Sequence, residues 1–276
     1  MSLSKSPVSE ASSLFRPDHI QGFVRRAAPR FADHAFLYDW TARELHERLA
    51  DITREFSSVL VCGDHTAWYF ADMFPRAIVL TDPTPEALAA YPDQFDVMIV
   101  MGGLHRVNDV PGVLIQMRRA LKPDGVLMGA FAGGETLHEL RTALMQAEMD
   151  CLGGASPRVY PFIDKQHMAG LMQRAGFALP VVDSEVMRVS YRDMFHVISD
   201  VRGMGESNAL DDRYNAFTPS KMFFKAAQIY QDNYAEPDGR VMASYEIIFL
   251  IGWAPHESQQ QPARRGSGQV SLTEIL

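Results

Sequence analysis

The residues best placed to do chemistry begin with a glycine that follows a short apolar run. The run is Val59–Cys62, and Gly63, Asp64 and His65 come directly after it. Such a turn can hold a nucleotide, because glycine lets a ligand approach the backbone and the next helix offers free N–H groups. The other interpretation is structural, with Asp64 capping the helix. Under the first interpretation Cys62, Gly63, Asp64 and His65 contact a cofactor.

An acidic residue, Asp82, ends the next apolar stretch, about 20 residues after Gly63. A carboxylate at that distance commonly accepts hydrogen bonds from ribose hydroxyls. An Asp-Pro turn that ends a strand is the alternative. The two features together favour a nucleotide-type cofactor more than either does alone.

A second glycine-containing loop, at Met101, Gly102 and Gly103, follows the most apolar segment of the chain. Paired glycines there indicate close approach of the backbone to a ligand, so all three residues are candidate cofactor contacts. His105 is a candidate acid–base group, although a lone histidine is more often a hydrogen-bonded structural residue. Asp109 is expected to cap the following helix.

Four more residues are candidates for substrate contact because of where they fall along the chain. Glu206 and Asn208 lie in a polar loop, Gly203–Asn208, which either ends a helix or touches the substrate. Glu135 and Tyr160 follow the last strand of the parallel sheet. Together with His105 they form the predicted catalytic set.

Composition and motif searches exclude several classes of protein. The 26 basic and 34 acidic side chains give a formal charge of −8, which disfavours nucleic-acid binding. The longest apolar runs, Val97–Leu104 and Ile247–Trp253, are too short to span a membrane. Cys62 and Cys151 form no CxxC pair, and no metal-binding histidine motif or P-loop occurs, so no metal site is expected. With no apolar signal in Met1–Phe15, the sequence predicts a cytoplasmic protein.

The candidate residues must be positioned by an alternation of short apolar runs and helical segments. Parallel strands are expected at Ser58–Cys62, Ala77–Thr81, Phe95–Met101 and Val126–Phe131, with a turn at Lys122–Gly125. This rhythm predicts a doubly wound, mostly parallel α/β sheet. A usual further strand should be missing, since 83–94 holds several prolines and no apolar alternation.

Beyond the parallel strands the pattern changes to two long extended segments. Leu179–Tyr191 and Met242–Trp253 predict an antiparallel hairpin, split by a mostly helical insertion at Arg192–Arg240. The insertion is expected to cover the carboxyl edge of the sheet and to line a pocket with Met204 and Tyr230.

From about Phe95 onward the sequence resembles a known family. The matching stretches are GLHRVND at Gly103–Asp109, LKPDGV at Leu121–Val126, FAGGETLHELR at Phe131–Arg141, RAGF at Arg174–Phe177, RGMGESN at Arg202–Asn208, IGW at Ile251–Trp253, HESQ at His256–Gln259 and PARRG at Pro262–Gly266. Together they resemble the methyltransferase-fold group of mitochondrial complex I assembly factor five and its bacterial homologues. The resemblance implies a class I (Rossmann-like) fold, S-adenosylmethionine (AdoMet) as cofactor and an iron–sulfur subunit of respiratory NADH dehydrogenase as partner. The chain is therefore divided into an N-terminal helical lead at 1–57, a methyltransferase-like domain at 58–258 and a polar C-terminal extension at 259–276.

The chain departs from that family on the cofactor side. The first loop keeps only Gly63, the segment 83–94 is short, and Arg106 stands where the family has tryptophan. AdoMet binding is therefore predicted to be weak or lost. The leading interpretation is an AdoMet-dependent methyltransferase acting on a protein or another cytoplasmic substrate. A non-catalytic assembly protein and a peptidyl-arginine hydroxylase, like the mitochondrial relative, are the alternatives.

Overall fold

The strands of the central sheet form where the sequence carries its apolar runs. A computed structural model describes residues 13–63 and 65–260, so Asp64 and most of the predicted C-terminal extension lie outside the described residues. The strands are β1, Val59–Cys62; β2, Ile78–Leu80; β3, Phe95–Met101; β4, Leu121–Ala132; β5, Ala178–Tyr191; and β6, Val241–Trp253. They are ordered β2-β1-β3-β4-β6-β5, with β2, β1, β3 and β4 parallel and β6 antiparallel to both of its neighbours. The predicted mostly parallel sheet and the C-terminal hairpin are confirmed.

Helices cover both faces of the sheet. They are α1, Pro17–Ala27; α2, Phe36–Ala50; α3, Thr66–Phe70; α4, Pro85–Leu88; α5, Val110–Ala120; α6, His138–Leu152; α7, Lys165–Arg174; α8, Met194–Gly203; and α9, Ser220–Tyr234. Short 3-10 turns occur at Ala28–Asp33 and Leu104–Arg106. As predicted, the Asp109 carboxylate caps α5 by accepting from the Gly112 N–H at 2.8 Å. No helix in the described ranges is long and apolar enough to cross a membrane.

Strand β3 shows why the sheet is enclosed by two separate cores. All seven of its side chains are buried, as expected for a parallel strand covered on both faces. Its alternate residues point to opposite sides: Ile99 packs with α2 and α6, whereas Met98 packs with α5 and α7. The carboxyl ends of β3 and β4 emerge between these layers.

The segment predicted to lack a strand holds only the short helix α4. Thr84 caps this helix by accepting from the Ala87 N–H at 3.2 Å, and Pro85 opens it. Within the described residues, β2 is therefore an edge of the sheet.

Two local predictions are wrong, one about a turn and one, described below, about a residue of the pocket. The residues Lys122–Gly125 are not a separate turn but an irregularity inside β4, where pairing with β3 shifts between Phe95 and Val97. Asp124 takes the left-handed conformation there, with φ 62°. A Cβ at Gly125 would lie 2.9 Å from backbone oxygens, which explains why glycine occupies this tight position. The residues are typical of a turn, but pairing with β3 on both sides extends the strand through them.

The helical insertion between β5 and β6 contains α8 and α9, and its α8 end reaches the carboxyl edge of the sheet. Met204 lines a pocket there, as predicted. Tyr230 does not line that pocket, since its ring is buried in the core and its hydroxyl donates to Met242 O at 2.7 Å.

Candidate active site

A glycine loop at the end of β3 separates two cavities. Gly102 and Gly103 both have positive φ, 71° and 81°, which side chains rarely adopt. A Cβ on Gly102 would come within 3.1 Å of the Tyr38 hydroxyl, whereas a Cβ on Gly103 would meet nothing within 4 Å. One glycine therefore faces packed side chains and the other faces open space.

The first cavity is a pocket of about 110 Å³ over the carboxyl ends of β3 and β4, enclosed on several sides by α2, β6 and the loops after β3 and α8. Its wall is mainly aromatic and aliphatic. Among the residues that line it are Leu37, Tyr38, Met101, Gly102, His105, Phe131, Leu137, Arg158, Tyr160, Phe162, Met204, Glu206, Asn208 and Tyr245. Four of the five predicted catalytic residues, His105, Tyr160, Glu206 and Asn208, are thus brought together, and their part in catalysis stays a prediction.

The way α8 ends explains how Glu206 reaches this pocket. The Gly205 N–H donates to Arg202 O at 3.1 Å, and the Glu206 N–H donates to Val201 O at 2.9 Å. This pair of bonds, with φ 80° at Gly205, is the Schellman arrangement that turns a chain sharply out of a helix. The turn brings Glu206 onto the loop that follows β3.

The Glu206 carboxylate is held by three side chains, one from α2 and two from the turn after β3. The Tyr38 hydroxyl donates to Oε1 at 2.7 Å, His105 Nε2 lies 3.0 Å from Oε2, and Arg106 Nη1 lies 3.6 Å from Oε2. Burial opposes ionisation, but the charges of Arg106 and His105, with the hydrogen bonds from His105 and Tyr38, hold the pKa of Glu206 well below its usual range. The carboxylate is therefore ionised at neutral pH.

The geometry of His105 follows from this ionised partner. A carboxylate can only accept, so Nε2 carries the proton that is donated to Glu206. The other nitrogen, Nδ1, is buried and has no hydrogen-bond partner within the described part of the chain. The His105 ring is itself part of the pocket wall.

Tyr160 and Asn208 hold the loop that carries Glu206. The Tyr160 hydroxyl donates to Ser207 O at 2.7 Å and accepts from the Ala209 N–H at 3.1 Å. Burial and the charge of Glu206 raise the pKa of Tyr160, so its hydroxyl stays protonated. Asn208 Nδ2 donates to Pro157 O at 2.7 Å. Both polar groups are engaged in shaping the pocket wall.

Glu135 lies apart from this group. Its side chain is 68% exposed, and its backbone N–H donates to Glu246 Oε2 at 2.9 Å. It does not line the pocket. Its position after β4 was read correctly, but the chain turns it toward solvent.

The second cavity is a crevice of about 300 Å³ on the other side of the glycine loop. Gly63, Asp82, Gly103 and Arg106 are among its lining residues. Gly63 has φ 113°, and a Cβ there would lie 2.7 Å from Met101 O. Asp82 is exposed at this crevice, so its carboxylate is available to ribose hydroxyls. These residues fit the nucleoside end of AdoMet.

The remaining predicted cofactor residues point elsewhere. The Cys62 thiol is fully buried in the core, which raises its pKa to about 12. The His65 ring stacks on Phe31 with centroids 3.6 Å apart, and burial lowers its pKa to about 4. Met101 and Gly102 line the enclosed pocket.

Sequence reasoning missed Tyr38 and Arg158. Tyr38 lies on α2, which the sequence placed in the N-terminal lead, and it reaches Glu206 across 168 positions of the chain. Arg158 forms an ion pair of 2.8 Å with the buried Glu148 and also lines the pocket. No local sequence pattern marks either residue. The partner of Tyr38 is distant in the chain, and the partner of Arg158 is a buried residue of α6.

Comparison with known proteins identifies the family. Residues 28–180 match the family model of the methyltransferase domain. The chain is 35% identical to the protein named arginine-hydroxylase NDUFAF5, mitochondrial, of Danio rerio, over 86% of this chain and 82% of that protein. The Rattus norvegicus protein of the same name is 40% identical, over 86% of this chain and 77% of that protein. The chain belongs to the NDUFAF5 family of methyltransferase-domain proteins.

The family supports most of what the sequence predicted and corrects one point. The YcgJ protein of Bacillus subtilis shares the fold, with a TM-score of 0.51 at 14% identity over 78% of this chain and 99% of that one. The methyltransferase domain supports AdoMet as the cofactor. The predicted cytoplasmic location is wrong, because the family members matched over most of the chain are named as mitochondrial. Among the described residues, no group of three His, Cys, Asp or Glu side chains could hold a metal ion.

Proposed function

We propose that this member of the NDUFAF5 family is an AdoMet-dependent methyltransferase that modifies an arginine side chain of a partner protein. The methyltransferase domain supports the reaction class, and the name of the relatives, arginine-hydroxylase, supports the residue modified. An iron–sulfur subunit of respiratory NADH dehydrogenase is the proposed partner. The observation that carries the proposal is the ionised Glu206 bound to His105 in an aromatic pocket beside the nucleotide crevice.

The crevice residues would hold the cofactor. Asp82 would accept hydrogen bonds from the ribose hydroxyls, and Gly63 and Gly103 would let the backbone approach the ligand. When bound, AdoMet supplies an electrophilic methyl group. The protein's contribution is to align the acceptor with that group and to exclude water.

The pocket residues would prepare the acceptor. A guanidinium is a weak nucleophile while protonated, so a nearby base is needed. His105 Nδ1, which has no hydrogen-bond partner among the described residues, would accept the proton, and Glu206 would orient the ring and stabilise the imidazolium that forms. The aromatic rings of Tyr160 and Phe162 suit the flat face of a guanidinium.

The first test is calorimetric titration of the purified protein with AdoMet. Asp82→Asn should weaken binding by roughly three- to tenfold, the cost of about one hydrogen bond. The matched control is Asp72→Asn, since Asp72 is exposed and outside the crevice. No binding of AdoMet at millimolar concentration would favour the non-catalytic assembly protein instead.

The second test is mass spectrometry of arginine-containing peptides incubated with protein and AdoMet. Addition of a methyl group supports the proposal, whereas addition of an oxygen atom would assign hydroxylation, the activity named for the relatives. His105→Gln should lower the turnover rate by roughly 100-fold or more and leave AdoMet affinity unchanged. Glu47→Gln, an exposed change on α2, is the matched control.

A further inference from the structure

A third cavity lies on the opposite side of α8 from the enclosed pocket. It is a groove of about 580 Å³ between the end of α1, the turn Ala28–Asp33, α8 and the start of α9. Apolar side chains of α8 and α9 line it, namely Phe195, Ile198, Phe223 and Phe224. Three arginines, Arg26, Arg30 and Arg202, line it as well.

Helix α8 presents two faces with different chemistry. Phe195, Ile198 and Arg202 are spaced by three and four positions, so they share the face that lines the groove. Val201 lines the enclosed pocket, and Val197 is fully buried. The groove therefore has its own wall and shares none of its lining residues with the pocket.

The groove exposes aromatic surface that its own fold does not cover. Phe195 is 43% exposed and Phe224 is 67% exposed, and their ring centroids lie 6.3 Å apart. Neighbouring exposed phenylalanines beside polar residues commonly mark a binding surface. In a concave surface they can receive apolar side chains of a partner.

The charge of the groove is opposite to that of the chain. Arg26 lies in the last turn of α1, and Arg202 lies in the last turn of α8. Neither forms an ion pair with any of the residues the structure describes. Arg30 is partly neutralised by Asp33, at 3.7 Å, and the Asp200 carboxylate is engaged by His34 at 2.7 Å. With a formal charge of −8 over the whole chain, this concentration of arginines is a local exception.

We propose that the groove binds an acidic segment of a partner protein in which apolar side chains alternate with carboxylates. The carboxylates would pair with Arg26 and Arg202, and the apolar side chains would cover Phe195 and Phe224. A concave groove with an apolar lining fits an extended or helical peptide better than a flat lipid surface. The inference does not depend on AdoMet or on the reaction proposed for the enclosed pocket.

The neighbouring contacts show that the groove is firmly built. A Cβ on Gly203 would lie 2.1 Å from the His34 ring, so the end of α8 packs directly against the segment before α2. The bond between His34 Nδ1 and Asp200 Oδ1 joins the same two elements. These contacts join two of the elements that form the groove.

The test measures fluorescence anisotropy of a labelled synthetic peptide in which glutamate alternates with leucine and phenylalanine, without AdoMet. Reversing both charges, Arg26→Glu with Arg202→Glu, should weaken binding by about tenfold or more, because attraction becomes repulsion. Phe224→Ser should weaken it severalfold. The matched control is Arg76→Glu, an exposed arginine outside the groove, which should leave the affinity unchanged.

Circular dichroism and thermal unfolding check that each variant is folded. If the double variant does not fold, the peptide affinity of Phe224→Ser alone tests the proposal. Equal affinity of wild type and the groove variants would overturn the proposal. So would equal binding of a peptide with lysine in place of glutamate. Binding of vesicles rich in anionic lipid, with no binding of the acidic peptide, would overturn it in favour of a membrane surface.

Discussion

Two carboxylates, one near each end of β3, are kept ionised in the same way but differ in their surroundings. Asp96, at the start of β3, accepts from the Ser57 hydroxyl at 2.7 Å, the Ser58 N–H at 2.9 Å and Lys122 Nζ at 2.8 Å. Although burial raises its pKa, these partners lower it to about 2. Glu206, beyond the other end of β3, is ionised for similar reasons but lines a cavity.

The difference lies in where the partners come from. The donors to Asp96 belong to the segment that enters β1 and to the first residues of β4, so the carboxylate joins neighbouring strands and lines none of the three cavities described above. The donors to Glu206 are side chains of α2 and of the loop after β3, and one side of the group faces empty space. A low pKa alone therefore does not mark a functional carboxylate, but a low pKa at a cavity wall does favour one.

The largest effect on stability is expected for Glu206→Ala. Removing the carboxylate takes away a counter-charge 3.6 Å from the buried Arg106 and one hydrogen-bond partner each of the buried His105 and Tyr38. The free energy of unfolding should fall by about 3 kcal/mol, the lower part of the range for breaking a buried ion pair. Urea unfolding measures it, with Glu47→Ala as the exposed control. A loss below about 0.5 kcal/mol, the usual range of surface substitutions, would contradict the burial and pairing described for Glu206.

A smaller but pH-dependent loss is expected for Asp96→Asn. A shift from 3.8 to about 2 corresponds to about 2 kcal/mol of stability at neutral pH. Because the pKa is lower in the folded protein, this contribution is present above pH 4 and disappears as the pH falls from about 4 toward 2. Unfolding free energies of wild type and variant should therefore converge on acidification. AdoMet affinity should not change, and a change would mean that the two edges of the sheet are coupled.

The last comparison is between two glycines of the carboxyl edge, of which Gly103 should show the smallest effect. Gly63→Ala should cost about 2 to 3 kcal/mol, because the new Cβ is strained at φ 113° and lies 2.7 Å from Met101 O. Gly103→Ala should cost only about 1 kcal/mol, since its φ of 81° is strained but the surrounding space is open. Thermal unfolding distinguishes them. Equal losses would show that the steric contact at Gly63 relaxes without cost.

Local sequence patterns predicted the framework of the site better than its contacts. The parallel strands and the missing strand at 83–94 followed from apolar runs and prolines, which act locally. Glu206 was found from its polar loop, and its low pKa depends on Tyr38 and His105, which lie far away in the chain. Glu135 has the right neighbours in sequence but faces solvent. Long-range packing decides such cases, and no short-range spacing encodes it.

The loss of a strand beyond β2 has a consequence for the behaviour of the protein in concentrated solution. Long, flat, apolar sheet edges recruit other chains into intermolecular sheets. Here the edge strand is only Ile78–Leu80, and Pro75 and Pro83 flank it without backbone N–H groups to donate. Ile78 and Val79 are exposed, yet so short a ladder offers an incoming strand little hydrogen bonding. The short length of β2 thus disfavours self-association at this edge, whereas a longer strand of the same composition would favour it.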